Sequence, residues 1–213
     1  MAILVLYLFA FLDASVIEAF AKTDPPKHEQ RPLEESYFEI GYKSVELALK
    51  ECEKHFGREL PLPIVLPPVA FTHHFGRCNH ANDVNDHFEI EYINEKQGKN
   101  HYMIQVKPFA NKLEGLPKKN DIIQIYKLKD GTKAVFGTTP STRSFYLLVF
   151  ERAGWQYMLS VDKRVGDIVS ANVLIAIAES VNPASYPWSP ARFPVLSRRS
   201  HSRVHEQRWG FRL

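Results

Sequence analysis

The chain has 213 residues, 45% of them hydrophobic and 24% charged, which is long enough to bury a substantial core and excludes disorder throughout. Its formal net charge of +3 is unevenly spread: residues 1 to 181 hold 21 basic and 23 acidic side chains, whereas residues 182 to 213 hold six arginines against the single acid Glu206. The slight basicity belongs to the end of the chain, and the body offers no electrostatic argument for binding nucleic acid.

Residues 2 to 12, from Ala2 to Leu12, are an uninterrupted apolar run. It is too short to span a bilayer, which takes about 20 apolar residues. Its length suits the hydrophobic region of a signal peptide, and Ala19-Phe20-Ala21 before Lys22 has the small-x-small form of a cleavage site. Residues 1 to 21 are therefore expected to direct export, which makes the mature chain secreted or extracytoplasmic. The basic start of such a signal is missing, and Asp13 and Glu18 intrude; the alternative is a buried N-terminal helix or strand in a cytoplasmic protein. Residues 22 to 35, with Pro25, Pro26 and Pro32, read as a linker.

A single α+β domain is expected over residues 36 to 181. Ser36 stands three residues before Glu39 as in a capping box. Phe38, Tyr42, Val45, Leu49, Cys52 and Phe56 then come at spacings of three and four, one apolar stripe of a long helix. Gly57 is placed to end that helix in the left-handed conformation, and Gly41 costs enough inside it to move its start toward Ser44. The prolines of Leu60 to Pro68 exclude a helix or a central strand and predict an extended crossing over the core.

Strand patterns come next: Phe88, Ile90 and Tyr92 alternate with polar residues, as do Tyr102, Ile104 and Val106, and further runs cover 121 to 128, 132 to 138, 143 to 151 and 155 to 161. Their joins at Gln97 to Asn100, Lys129 to Gly131 and Ala153-Gly154 are turn-like, and short turns connect antiparallel neighbours. Phe145 to Phe150 is apolar at every position, as a central strand covered on both faces should be. Ser170 then caps a helix with Leu174, Ile177, Ala178 and Val181 on one face, closed by Pro183. The predicted architecture is an antiparallel meander of five or six strands flanked by an N-terminal and a C-terminal helix. Residues 182 to 213, with four prolines and arginine as their sole basic residue besides histidine, read as a disordered tail. The alternative is an arginine-rich arm for nucleic acid or anionic lipid.

The residues that could carry chemistry are concentrated between 73 and 87: His73, His74, Cys78, His80 and His87, interspersed with Asn82, Asp83, Asn85 and Asp86. Imidazole and thiolate are zinc or copper ligands. The spacing matches no standard zinc pattern, so the stretch reads as a polar loop, with a zinc site the alternative. A calcium loop from Asp83 lacks the glycine at its sixth position and the terminal glutamate, since Asn94 stands there. Glu89 and Glu91 share a strand face and read as solvent-facing acids, an acid-base pair being the alternative. Asp162-Lys163-Arg164 reads as a charged strand exit. Cys52 and Cys78 make an even count that an oxidising compartment would let pair, but Cys52 lies on the first helix's apolar stripe, where a free cysteine serves as a small hydrophobe.

The block Tyr157 to Val165, the helix from Val173 to Val181 and the stretch Phe71-Thr72-His73-His74-Phe75-Gly76-Arg77 together resemble a group of uncharacterised domains in secreted or membrane-anchored proteins of endospore-forming Gram-positive bacteria. That group is distantly similar to the lipoprotein-carrier-like folds. The resemblance implies an extracytoplasmic binding or sensing module at the cell envelope, whose curved antiparallel sheet holds an apolar ligand, a peptide or a protein segment. It implies no catalytic residue and no cofactor. The alternative function is a metal-dependent hydrolase built on the 73 to 87 cluster.

Overall fold

Ser44 decides where the long helix begins. In the computed structural model, which describes residues 31 to 80, 85 to 140 and 142 to 181, the expected stripe is broken in two. Helix α1 spans Leu33–Glu39 and helix α2 spans Val45–Phe56. Between them Gly41 adopts φ +90°, a conformation closed to a continuing helix and cheap for glycine alone. Ser44 accepts a hydrogen bond from the Leu47 amide, and Gly57 closes α2 in the left-handed region with its amide on the Glu53 carbonyl. Val45, Ala48, Leu49 and Cys52 are the buried face of α2. The chain divides into two units, one ending at Ser36 and the other beginning at Tyr37; α2 and the whole sheet belong to the second. The expected export signal (1 to 21), all but the end of the linker, and the tail (182 to 213) lie outside the described residues. Leu33 to Glu35, expected as linker, are already helical.

Seven strands form one antiparallel sheet: β1 His73–Asn79, β2 His87–Ile93, β3 His101–Pro108, β4 Ile122–Lys127, β5 Lys133–Thr138, β6 Phe145–Arg152 and β7 Trp155–Asp162. The spatial order is β1-β2-β3-β7-β6-β5-β4. Two meanders, β1 to β3 and β4 to β7, thus meet at a β3–β7 seam. The α+β class with a helix at each end is as expected, and six strands fall where the alternation placed them. The seventh, β1, lies in the stretch expected to be a polar loop. It pairs along its whole length with β2, from His73 opposite Ile93 to Asn79 opposite His87. β6 lies inside the sheet, and Leu147, Leu148, Val149 and Phe150 are buried on alternate faces.

One face of the sheet carries Phe88, Ile90, Tyr102, Ile104, Tyr157 and Leu159, and these form the main core with α2 and with α3 (Ala171–Glu179). α2 comes so close to β1 that a Cβ on Gly76 would lie 2.9 Å from both Ala48 Cβ and Val45 Cα. A disulfide joins Cys52 of α2 to Cys78 of β1. Cys52 therefore lies on the buried stripe, as expected, but as a cross-link rather than a free thiol. The proline-rich segment crosses this core in extended form. Tyr157 Oη donates to the Pro61 carbonyl at 2.8 Å, and Pro63 makes an isolated bridge with Val181. Asp162 does cap the exit of β7, accepting from the Arg164 amide at 2.8 Å and from its guanidinium at 2.6 Å.

Candidate functional site

The opposite face of the sheet is polar toward β1 and β2, whereas on β6 it carries the buried Leu147 and Val149. Because side chains alternate along a strand, the register puts Arg77 beside Glu89, Glu89 beside Gln105 and Gln105 beside Met158. One rung further along, Glu91 stands beside Met103 and Met103 beside Ser160.

The break at Gly41 sets the chemistry of this face. Lys43 pairs with Gly76 across the outer edge of β1, which turns the preceding residues onto the polar face while α2 goes to the other. Tyr42, expected on the helical stripe, is instead buried over the two glutamates. Its Oη lies 2.7 Å from Glu89 Oε1 and 2.7 Å from Glu91 Oε1, and its one proton serves one carboxylate at a time. Tyr37 donates to Glu91 Oε2 at 2.9 Å. Arg77 Nε donates to Glu89 Oε1 at 2.7 Å, and its guanidinium lies over the Tyr42 ring, 4.5 Å from the centroid. His87 Nε2 is 3.3 Å from Glu89 Oε2 and His101 Nε2 is 3.4 Å from Glu91 Oε2.

Glu89 and Glu91 are thus not solvent-facing acids. Burial alone would raise both carboxyl pKa values. For Glu91, the neighbouring His101 and the hydroxyls of Tyr42 and Tyr37 outweigh it and hold the pKa at about 2. For Glu89, His87, Tyr42 and the Arg77 charge likewise outweigh burial and leave the pKa below its ordinary value. Burial first, and then Glu89 and Glu91 for Tyr42 and Glu91 alone for Tyr37, push the two phenols well up, so both remain donors. Lys107, also buried on this face, has its pKa lowered by burial.

Two walls border this surface. Tyr37 and Tyr42 stand on one side. On the other, the connection from β3 to β4 crosses the sheet: Leu113 exchanges two hydrogen bonds with the Gln156 side chain, at 2.8 and 3.0 Å. Further on, a Cβ at Gly137 would collide with the Pro117 ring and the Asp121 carbonyl. Between the walls Met103, Gln105 and Met158 are half-buried. Ser160 Oγ is buried beneath them with no hydrogen-bond partner among the described residues.

The five residues singled out as metal ligands are not brought together. His74 and Cys78 point to the α2 side of the sheet and His73 and His87 to the other, while His80 lies beyond the end of β1. The Cys78 sulfur is bonded to Cys52. His73 stacks on Phe75 and His74 on Tyr92, burial lowering the His74 pKa. His80 meets Glu51 at 3.1 Å, which raises its pKa. Among the described residues no group of three or more His, Cys, Asp and Glu side chains could hold a metal ion, and no helix there is long and apolar enough to cross a membrane. No family model, curated protein or solved structure matches this chain.

Proposed function

We propose that this chain is an exported, non-enzymatic module that binds an extended peptide or an apolar molecule on the polar-faced side of its sheet. The observation that carries the reading is the strip of Met103, Gln105 and Met158 between the Tyr37–Tyr42 wall and the Leu113–Pro117 wall, with the Ser160 hydroxyl beneath it. Methionine offers a polarizable, adaptable contact surface, and apolar contact area beside a few fixed polar groups is what a ligand site needs. The likeness to extracytoplasmic sheet domains belongs to the same reading.

The chain has three methionines, Met1, Met103 and Met158, so methyl-labelled methionine gives a direct probe. Titration with decanoate and, separately, with an uncharged alternating Val/Thr peptide should move the Met103 and Met158 methyl resonances together and saturably with at least one of the two. Methyl signals that stay fixed with both overturn the proposal.

Export is supported by the Cys52–Cys78 bridge, since disulfides persist in oxidising compartments. Material recovered from the medium of the producing cells should begin at Lys22 by mass spectrometry. An intact chain from Met1 retained in the cytoplasm would refute this part.

A further inference from the structure

The two edges of the sheet are finished differently. At β1 the Lys43–Gly76 bridge lies across the edge. At the other end β4 is the outermost strand among the described residues, and every residue in it but Tyr126 is exposed. Ile122, Ile123 and Ile125 are 38%, 55% and 52% exposed. An open edge of this kind presents unpaired backbone groups and apolar side chains together, which folded proteins ordinarily avoid because it invites unselective pairing. Here the register shift between Ile122 and Gln124 confines the regular edge to its second half.

Charge makes this edge selective. Lys118 and Lys119 stand before the strand, Lys127 and Lys129 at its end, and Lys133 opposite Lys127 on β5. The nearby acids are already engaged: Asp121 by Arg143 at 3.1 Å and Asp130 by Arg152 at 2.8 Å. An incoming strand meets isoleucine in the middle and lysine at both ends.

We propose that β4 is a docking edge for an extended segment of another protein, added as an eighth strand, with apolar residues against the isoleucines and acidic residues at its two ends. Main-chain hydrogen bonds would supply affinity and side chains the specificity. A second copy of this chain is a poor occupant. Pairing β4 with its twin brings the Lys118–Lys119 end alongside the Lys127–Lys129 end when antiparallel and sets each lysine beside itself when parallel, and like charges held close across a sheet are destabilising. The chain's own arginine-rich end, residues 182 to 213, meets the same objection. The lysines thus act against self-pairing and for an acidic partner.

Docking at β4 does not depend on a ligand at the sheet face. The probe is a short alternating Val/Thr peptide flanked at both ends by paired glutamates, compared on the full chain with its lysine-flanked counterpart. The glutamate peptide should slow amide hydrogen exchange across 122 to 127, whether or not it also moves the Met103 and Met158 methyls. The lysine peptide should bind at least about tenfold more weakly, two like-charge juxtapositions being enough for that factor. Lys127→Glu with Lys133→Glu, both at exposed positions, should remove most of the preference for the glutamate peptide without moving the melting temperature. Equal binding of the two peptides, or exchange in 122 to 127 that neither peptide slows, overturns the proposal. So does concentration-dependent dimerisation of the peptide-free protein that protects β4, which would make a second copy the occupant. Peptide binding that moves the methyls and leaves β4 unprotected would favour the sheet face and also overturn it.

Discussion

Replacing Cys52 and Cys78 together by alanine should lower the unfolding free energy by about 3.5 kcal/mol, the chain-entropy cost of releasing a loop of this size. The two cysteines are 26 residues apart, and the loop between them contains the end of α2, the proline-rich crossing and most of β1. Freed of the bond, the unfolded chain gains conformations that the folded state cannot match. A shift of this size should bring the melting temperature down by roughly 10 °C for a domain of this length. Guanidinium denaturation of the parent with and without reductant should show the same difference, and the double alanine variant should be indifferent to reductant. Identical midpoints for parent and variant would show that the bridge contributes nothing.

Acid should act on the other side of the sheet. The Glu91 carboxyl has a folded-state pKa of about 2 against an ordinary value of 4.5, so its contribution is complete above the ordinary value and disappears as pH falls through the folded one. Between about pH 5 and about pH 2 the protein should lose about 3 kcal/mol from this group, and Glu89, lowered in the same sense, adds to the same limb. Glu91→Gln cannot titrate. It should be about 3 kcal/mol less stable than the parent at neutral pH, converge with it near pH 2, and show a shallower acid limb. The exposed Glu95→Gln is the control and should track the parent. An acid limb unchanged by Glu91→Gln would show that the Tyr37, Tyr42 and His101 contacts do not stabilise the ionised form.

What was legible in the sequence is what repeats. Six strands and the C-terminal end of α2 come from alternation, turns and caps that act locally, such as Gly57 and Ala153-Gly154, whereas Ser36, read as opening a capping box, lies inside α1. What was not legible depends on residues far apart in the chain. β1 shows no clean alternation because both its faces are covered: Gly76 gives way to α2 on one, and Arg77 reaches Glu89 on the other. Its histidines suggested a loop or a metal, whereas the strand divides them between two faces. Glu89 and Glu91 looked like a solvent face because nothing local announces that Tyr37 and Tyr42 close over them. Tyr42 itself keeps helical spacing from Phe38 and Val45, and the positive φ at Gly41 takes it out of that register. Given more weight, the same glycine would have pointed to the break.

The seam between the two meanders also bears on how the domain is assembled in time. Within each meander, partners such as Arg152 and Trp155 are three positions apart at the turn and can meet soon after the chain is released. Across the seam, Pro108 meets Trp155, 47 positions away, and Tyr102 meets Val161, 59 away. Loop closure over such distances is costly before any contact rewards it, and distant pairings slow folding. Hairpins of both halves can therefore form as separate early units, with the joining of β3 to β7 the step at which the sheet, and the strip of Met103 and Met158 that straddles it, first exists.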